Sequence, residues 1–160
     1  MGPYYVTTLV HVFGSATRVH AVSSKSHETR VIGSGPPRQG EEFPPVEVPT
    51  HHAALIEFGQ GRSAQTTLSF QHALPPRAGF VEINGTEGTI VLPDPNNFDG
   101  DSTLYRAGSD EPETLAAPEG DYGRGTGVVD LVRSIRSGGV ERASGTVASH
   151  VLDVLLGGST

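Results

Sequence analysis

The stretch Phe80 to Gly100, FVEINGTEGTIVLPDPNNFDG, leaves this chain little choice of fold. Two runs rich in β-branched residues flank Asn84-Gly85-Thr86-Glu87-Gly88, a pattern that predicts a β-hairpin. Asn84-Gly85 takes up positive φ at low cost and Gly88 offers a second such position, so turn chemistry helps to fix the register. Pro93 and Pro95 have no N–H to give to a neighbouring strand, which ends the pairing near Leu92. Asx turns account for Asp94, Asn97 and Asp99 in the loop that follows, with Phe98 as its hydrophobic anchor.

Antiparallel pairing recurs upstream. His51 to Phe58 and Ser63 to Gln71 alternate as strands joined through Gly59-Gln60-Gly61-Arg62. Ala54, Ile56 and Phe58 share a face with Ala64, Thr66, Leu68 and Phe70, and Val81, Ile83, Ile90 and Leu92 extend it. The opposite set, His51, Ala53, Leu55 and Glu57 with Ser63, Gln65, Thr67, Ser69 and Gln71, is mixed. Such a face meets water, another subunit or a polar ligand.

Helical spacing brackets the strands. Gly2-Pro3 suits a first turn, and Tyr4 to Phe13 then places Tyr5, Leu9, Val12 and Phe13 on one side before Gly14 closes the helix. Thr17 to Ser23 alternates as a strand, with Glu28 to Ile32 as its short partner. Prolines and glycines between Gly33 and Pro49 predict an exposed, mobile connection with at most an edge strand at Val46 to Val48. Thr103 to Arg106 reads as a weak strand and Ala107 to Gly120 as a loop. Gly127 to Ser137 puts Val128, Leu131, Val132 and Ile135 on one stripe, stopped by Gly138-Gly139. Ser144 to Leu156 is a second amphipathic helix, capped by Ser144, with Val147, Val151, Leu152 and Leu155 inward. The sum is an α+β fold, a mostly antiparallel sheet with helices packed on one face, in a single domain over residues 1–160.

Charge narrows the partners. With 11 basic and 18 acidic side chains the formal charge is −7, which argues against a nucleic-acid backbone or an anionic membrane as the main partner. No apolar stretch is long enough to span a bilayer and the N-terminus lacks a secretory pattern, so a cytoplasmic location is expected. The absence of cysteine excludes disulfides, thiolate catalysis and cysteine-ligated zinc. The chain opens directly onto a helical run and closes on Gly157-Gly158-Ser159-Thr160, as a piece of a longer polypeptide would.

Motifs for intrinsic chemistry are missing. The glycine-rich DYGRGTGVVD at 121–130 spaces Gly123, Gly125 and Gly127 as G-x-G-x-G after an acidic loop, not as the G-x-G-x-x-G that follows a strand in a dinucleotide site. His51 and His52 are adjacent on a strand and point to opposite faces, and no H-E-x-x-H pair exists, so no metal site is expected. His150 reads as a hydrogen-bonded packing residue, and no G-x-S-x-G elbow marks a nucleophile.

Taken in order, MGPYYVTTLVHVFG, VPTHHAALIEFGQGRSAQTTLSF, FVEINGTEGTIVLPDPNNFDG, RGTGVVDLVRSIRSGG and RASGTVASHVLDVLL resemble the C-terminal domain of the Gfo/Idh/MocA oxidoreductases. The resemblance spans nearly the whole chain, and the G-T-E-G turn followed by P-D-P-N is its most specific part. It implies a partner, an N-terminal Rossmann domain that binds NAD or NADP, while the α+β domain helps to build the substrate pocket and the oligomer interface. Neither the Rossmann fingerprint nor the family's Glu-Lys-Pro segment is present, so the cofactor is expected in the parent enzyme and none in this chain. The family's Asp-x-Gly-x-His motif aligns Gly2 with its glycine and Tyr4 with its histidine, its aspartate falling before Met1. Tyr4 is therefore the catalytic candidate, although a phenol with an ordinary pKa near 10 needs a neighbouring cation to act as a base at neutral pH. His11, on the polar side of the first helix, and Tyr122 with Arg124, a phenol and a bidentate donor, are the candidates for substrate binding.

The expected role is the substrate-binding and oligomerisation domain of an NAD(P)-dependent dehydrogenase acting on a sugar, polyol or related hydroxy compound, inactive in isolation. A homodimer is expected through the sheet face that holds His51, Ala53, Leu55 and Phe80. The alternative is a stand-alone, non-catalytic binding or dimerisation module using the same face.

Overall fold

A computed structural model describes residues 2–43, 45–70, 81–120 and 122–157. The elements run α1 (Gly2–Phe13), β1 (Ala16–Ser24), β2 (Arg30–Val31), β3 (Glu42–Phe43), β4 (His51–Phe58), β5 (Ser63–Ser69), β6 (Val81–Gly85), β7 (Gly88–Leu92), β8 (Ser102–Arg106), β9 (Glu113–Leu115), α2 (Thr126–Ser137) and α3 (Gly145–Gly157). All strand pairings among the described residues are antiparallel. The class is α+β, as the alternating patterns predict.

The core sits on a three-stranded sheet in the order β1-β4-β5. Central β4 aligns Val19 with Ile56 and Ile56 with Ala64, and helices α1 and α3 cover that face. Val6, Ile56, Phe58, Val151 and Val154 form the buried cluster, with Leu9, Val10, Phe13, Val19, Val147 and Leu155 packed around it. The Phe13 and Phe58 rings meet at 5.3 Å between centroids, tilted by 45°, a favourable aromatic arrangement. His150 is the hydrogen-bonded packing residue that its place in α3 suggests, since its Nε2 accepts the Ala16 N–H at 2.9 Å. Gly14 closes α1 with φ +85° and donates its N–H to Val10 O at 2.9 Å. At the other end, a side chain on Gly2 would meet Leu155 at 3.0 Å and Leu68 at 3.1 Å, so α1 begins where α3 finishes.

Both packed helices differ from expectation by a small rotation. In α1 the buried residue is Val6, whereas Val12 is 46% exposed; in α3 Val154 is buried and Leu152 is turned out. The apolar runs VTTLVHVF and VLDVLL offer more than one stripe, and contact between the two helices selects among them. Ser144 caps α3 as expected, its Oγ accepting the Val147 N–H at 3.2 Å.

The hairpin of the 80–100 stretch is present, with its turn moved. Register runs Val81↔Leu92 to Gly85↔Gly88, so Thr86 and Glu87 make the turn, and neither Asn84 nor Gly85 has positive φ. Asn84 is instead held in the ladder opposite Thr89, whose Oγ1 donates to Asn84 Oδ1 at 2.7 Å. Pairing stops at Leu92, as the prolines require. The hairpin does not extend the first sheet: Val81, Ile83, Ile90 and Leu92 belong to a separate four-stranded meander, β6-β7-β8-β9. Strand β9 lies within the segment read as a loop, because its three residues are too few to show a period.

Other departures are local. β2 pairs with β3, not with β1, and Val46 to Val48 form no strand, Val46 N–H donating singly to Glu28 O at 2.8 Å. Phe70 stands beyond the end of β5, with the Arg30 guanidinium 5.7 Å above its ring. Phe98, expected as a hydrophobic anchor, is exposed. Gln71 and Phe80, assigned above to the mixed face, lie outside the described residues. Helix α2 has the predicted amphipathic stripe, but that stripe faces outward; its buried residue is Ser134, and Asp130 Oδ2 accepts the Arg142 N–H at 2.9 Å.

Candidate functional site

Tyr4 stands on the first turn of α1 with its side chain open to solvent at 52% exposure. Its neighbour Tyr5, about 100° further round the helix, is differently placed. The Tyr5 hydroxyl donates to Asp94 Oδ1 at 2.9 Å, and the same oxygen accepts the Asn96 N–H at 3.0 Å. Burial, then the hydrogen bond and the negative charge of Asp94, push the Tyr5 phenol up to about 12. Tyr5 thus keeps its proton and ties the Pro93-Asp94-Pro95 loop to the start of α1. His11 is exposed two turns beyond Tyr4, about 10 Å along the helix axis.

Tyr122 and Arg124 lie on the loop before α2. Tyr122 is half-exposed and its ring rests on Gly120, where an added Cβ would sit 2.6 Å from Cε2. Arg124 is exposed between Gly123 and Gly125, and Thr126 Oγ1 stiffens the turn by donating to Gly123 O at 2.8 Å. Among the described residues no hydrogen bond or ion pair links this loop to Tyr4 or His11. Tyr4 and His11 stand on α1, and Tyr122 and Arg124 on the loop before α2.

A second polar arrangement occupies the outer face of the β1-β4-β5 sheet. Register places Arg18 opposite Glu57, His20 opposite Leu55 and Val22 opposite Ala53, with Gln65 beyond Leu55 on β5. The Glu57 carboxylate gathers Arg18 Nη1 at 3.2 Å and His20 Nε2 at 3.1 Å. Exposed pairs of this type contribute only about 0–1 kcal/mol to stability. Beside them lies a shallow depression lined by His20, Val22, Ala53, Leu55 and Gln65. Val22 is 70% exposed and Leu55 45%. Arg18, His20 and Val22 were legible in the alternation of TRVHAVS, a strand whose two faces were not sorted from the sequence.

Gly123, Gly125 and Gly127 follow the antiparallel meander and supply no parallel strand–turn–helix cradle for a pyrophosphate. Among the described residues no group of three His, Asp or Glu side chains is placed to hold a metal ion. No helix among them is long and apolar enough to cross a membrane.

An antiparallel sheet with two helices on one face and an open, half-apolar surface on the other defines an α+β domain. Residues 1–91 match the family described as GFO/IDH/MocA C-terminal domain, and the chain belongs to that family. Comparison with curated proteins gives no match. Among solved structures, the fold is similar to that of the UDP-N-acetylglucosamine 3-dehydrogenase GnnA from Acidithiobacillus ferrooxidans, with a TM-score of 0.69, 14% identity, and 98% of this chain and 44% of that one covered. It is also similar to an aldose-aldose oxidoreductase from Caulobacter crescentus complexed with glycerol (TM-score 0.69, 18% identity, 97% and 42% covered). A levoglucosan dehydrogenase in complex with NADH and L-sorbose gives a TM-score of 0.64 at 18% identity, with 98% and 44% covered. The chain therefore spans less than half the length of these structures.

Proposed function

We propose that this chain is the substrate-binding and oligomerisation domain of an NAD(P)-dependent dehydrogenase acting on a sugar, a polyol or a related hydroxy compound. The family match over residues 1–91 carries this reading. It is supported by the names of the similar structures, which include an aldose oxidoreductase holding glycerol and a dehydrogenase holding NADH and L-sorbose. The hydride chemistry belongs to a Rossmann half outside residues 1–160, and the chain alone is inactive. A cytoplasmic enzyme is the setting this reading implies.

Within that role, Tyr4 is the group that exchanges a proton with the substrate hydroxyl, its open position on the first turn of α1 leaving the phenol free to reach a ligand. His11, Tyr122 and Arg124 supply hydrogen-bond donors to a hydroxylated or acidic substrate. The outer sheet face, with Val22 and Leu55 bare beside the Arg18–Glu57–His20 cluster, is the surface on which two copies meet.

That same face also favours a second reading, a stand-alone dimerisation module. Titration calorimetry with NADH and NADPH, followed by assay against aldoses and polyols, addresses the first reading: neither binding nor turnover is expected from residues 1–160. Tight nucleotide binding by this chain overturns it. An upstream reading frame that encodes a G-x-G-x-x-G strand and helix decides between the two readings in favour of the dehydrogenase, and a gene that opens at Met1 decides for the module.

A further inference from the structure

Asn84 precedes Gly85 at the closed end of the β6–β7 hairpin. No other asparagine of the chain is followed by glycine, since Asn96 precedes Asn97 and Asn97 precedes Phe98. With no Cβ on the following residue, the next backbone nitrogen can approach the asparagine side-chain carbonyl and close a five-membered ring. Asn84 and Gly85 are both exposed, so water and hydroxide reach them. Exposure alone would make this a fast site, and the ladder opposes it.

Three constraints keep the reacting groups apart. Thr89 Oγ1 donates to Asn84 Oδ1 at 2.7 Å, and Asn84 Nδ2 donates to Glu82 Oε1 at 3.1 Å, which fixes the side chain over the ladder. The Gly85 nitrogen is committed as well. Ala107 N–H donates to Glu87 O at 2.9 Å, so Glu87 turns its carbonyl to β8, and the next residue, Gly88, by the alternation of a strand turns its own groups to Gly85, its partner in β6. Asn84 itself lies in extended backbone, and ring closure needs its ψ to rotate out of that conformation. We infer that Asn84 is a guarded deamidation site, converted to aspartate or isoaspartate only when the closed end of the β6–β7 hairpin opens.

The reaction needs nothing but water. With the hairpin end open, the Gly85 nitrogen gives its proton to solvent hydroxide and bonds to Asn84 Cγ; the Cγ–Nδ2 bond breaks, and Nδ2 takes a proton from water and leaves as ammonia. Water then adds to one of the two carbonyls of the succinimide and opens the ring to aspartate or isoaspartate, with no change in oxidation state. Neither product lets the end close as before. A carboxylate at position 84 faces Glu82, to which the amide had donated, and the two charges repel. Isoaspartate adds a methylene to the backbone ahead of Gly85 and displaces the Gly85–Gly88 pairing. The hairpin end thus keeps a one-way record of its own opening.

The test incubates the 160-residue chain in mildly alkaline buffer, with and without denaturing guanidinium chloride. Peptide mapping by mass spectrometry reads the fraction of residue 84 that has gained one mass unit, and chromatography separates the isoaspartyl form. Conversion about tenfold or more slower in buffer than in denaturant is expected, with matching protection of the Gly85 amide against hydrogen exchange. Thr89→Val, which keeps the β-branched shape and removes the donor, should raise the rate in buffer about threefold or more and leave the rate in denaturant unchanged, whereas Thr89→Ser should retain the guard. Gly85→Ala, whose Cβ would sit in ordinary contact 3.6 Å from Gly88 O, should suppress conversion in both media. Equal rates for the parent chain in the two media overturn the guard, a comparison that needs no variant to fold. Absence of conversion in denaturant, or conversion that Gly85→Ala leaves unchanged, overturns the site.

Discussion

The Tyr5 hydroxyl and the Asp94 carboxylate meet at 2.9 Å across 89 residues of sequence, joining the first helix to the proline-bounded loop that ends the hairpin. Folding raises the Tyr5 pKa from 10.0 to about 12, so the folded chain holds this proton more tightly than the unfolded one. The corresponding stability is fully present below pH 10 and is lost as pH rises through 12. Urea unfolding between pH 8 and 12 should show an alkaline decline that is shallower in Tyr5→Phe. Identical slopes in the two proteins would refute the coupling.

Ile56 is 1% exposed at the centre of the core and Leu152 is 54% exposed on the outer side of α3. Ile56→Ala should cost about 2–5 kcal/mol, the range for removing a buried branched side chain. Leu152→Ala should stay within about 0.5 kcal/mol of the parent. Chemical denaturation of both variants checks the helix rotation described above; comparable losses would place Leu152 in the core after all.

Gly88 pairs with Arg106 in the meander, and a Cβ there would run into the Tyr105 carbonyl oxygen and approach the Arg106 Cα to 3.1 Å. Backbone cannot move aside as a flexible side chain can. Gly88→Ala should therefore lower stability by about 1–3 kcal/mol, whereas Gly123→Ala, with nothing within 4 Å, should cost less. Equal thermal midpoints for the two variants would contradict the register.

The proposed self-association through the outer sheet face makes Leu55→Arg and Val22→Glu the informative substitutions. Sedimentation of the parent chain at high concentration should show a dimer, and each variant should shift it to monomer without loss of folded structure. A parent that stays monomeric removes the oligomerisation role from this face.

Much of the architecture was written in local patterns. In His51 to Phe58, Ala54, Ile56 and Phe58 fall on one side at period two, and the structure places Ile56 and Phe58 inward. Ser144 announced the start of α3, and Pro93 the end of β7. What escaped was set by distant contacts. Whether the hairpin joins the first sheet or founds its own cannot be read from Val81 or Ile90, because both arrangements bury the same face. Tyr5 and Asp94 show no signal in either neighbourhood, since their bond depends on a loop folding back to α1. Sequence reading proposed Tyr4, His11, Tyr122 and Arg124 one by one, and nothing local states how α1 and the loop before α2 are placed with respect to each other. The outward stripe of α2 is the plainest limit: period 3.6 reveals an apolar side, not what covers it.

Gly2 touching Leu155 means that the polypeptide comes in and goes out at a common corner. A linker of a few residues could bridge 157 to 2 and a new opening be cut at Gly108, on the exposed link between β8 and β9, with the same interior preserved. Circular permutants of that design would show that this unit can be spliced behind, or within, another protein without being rewoven.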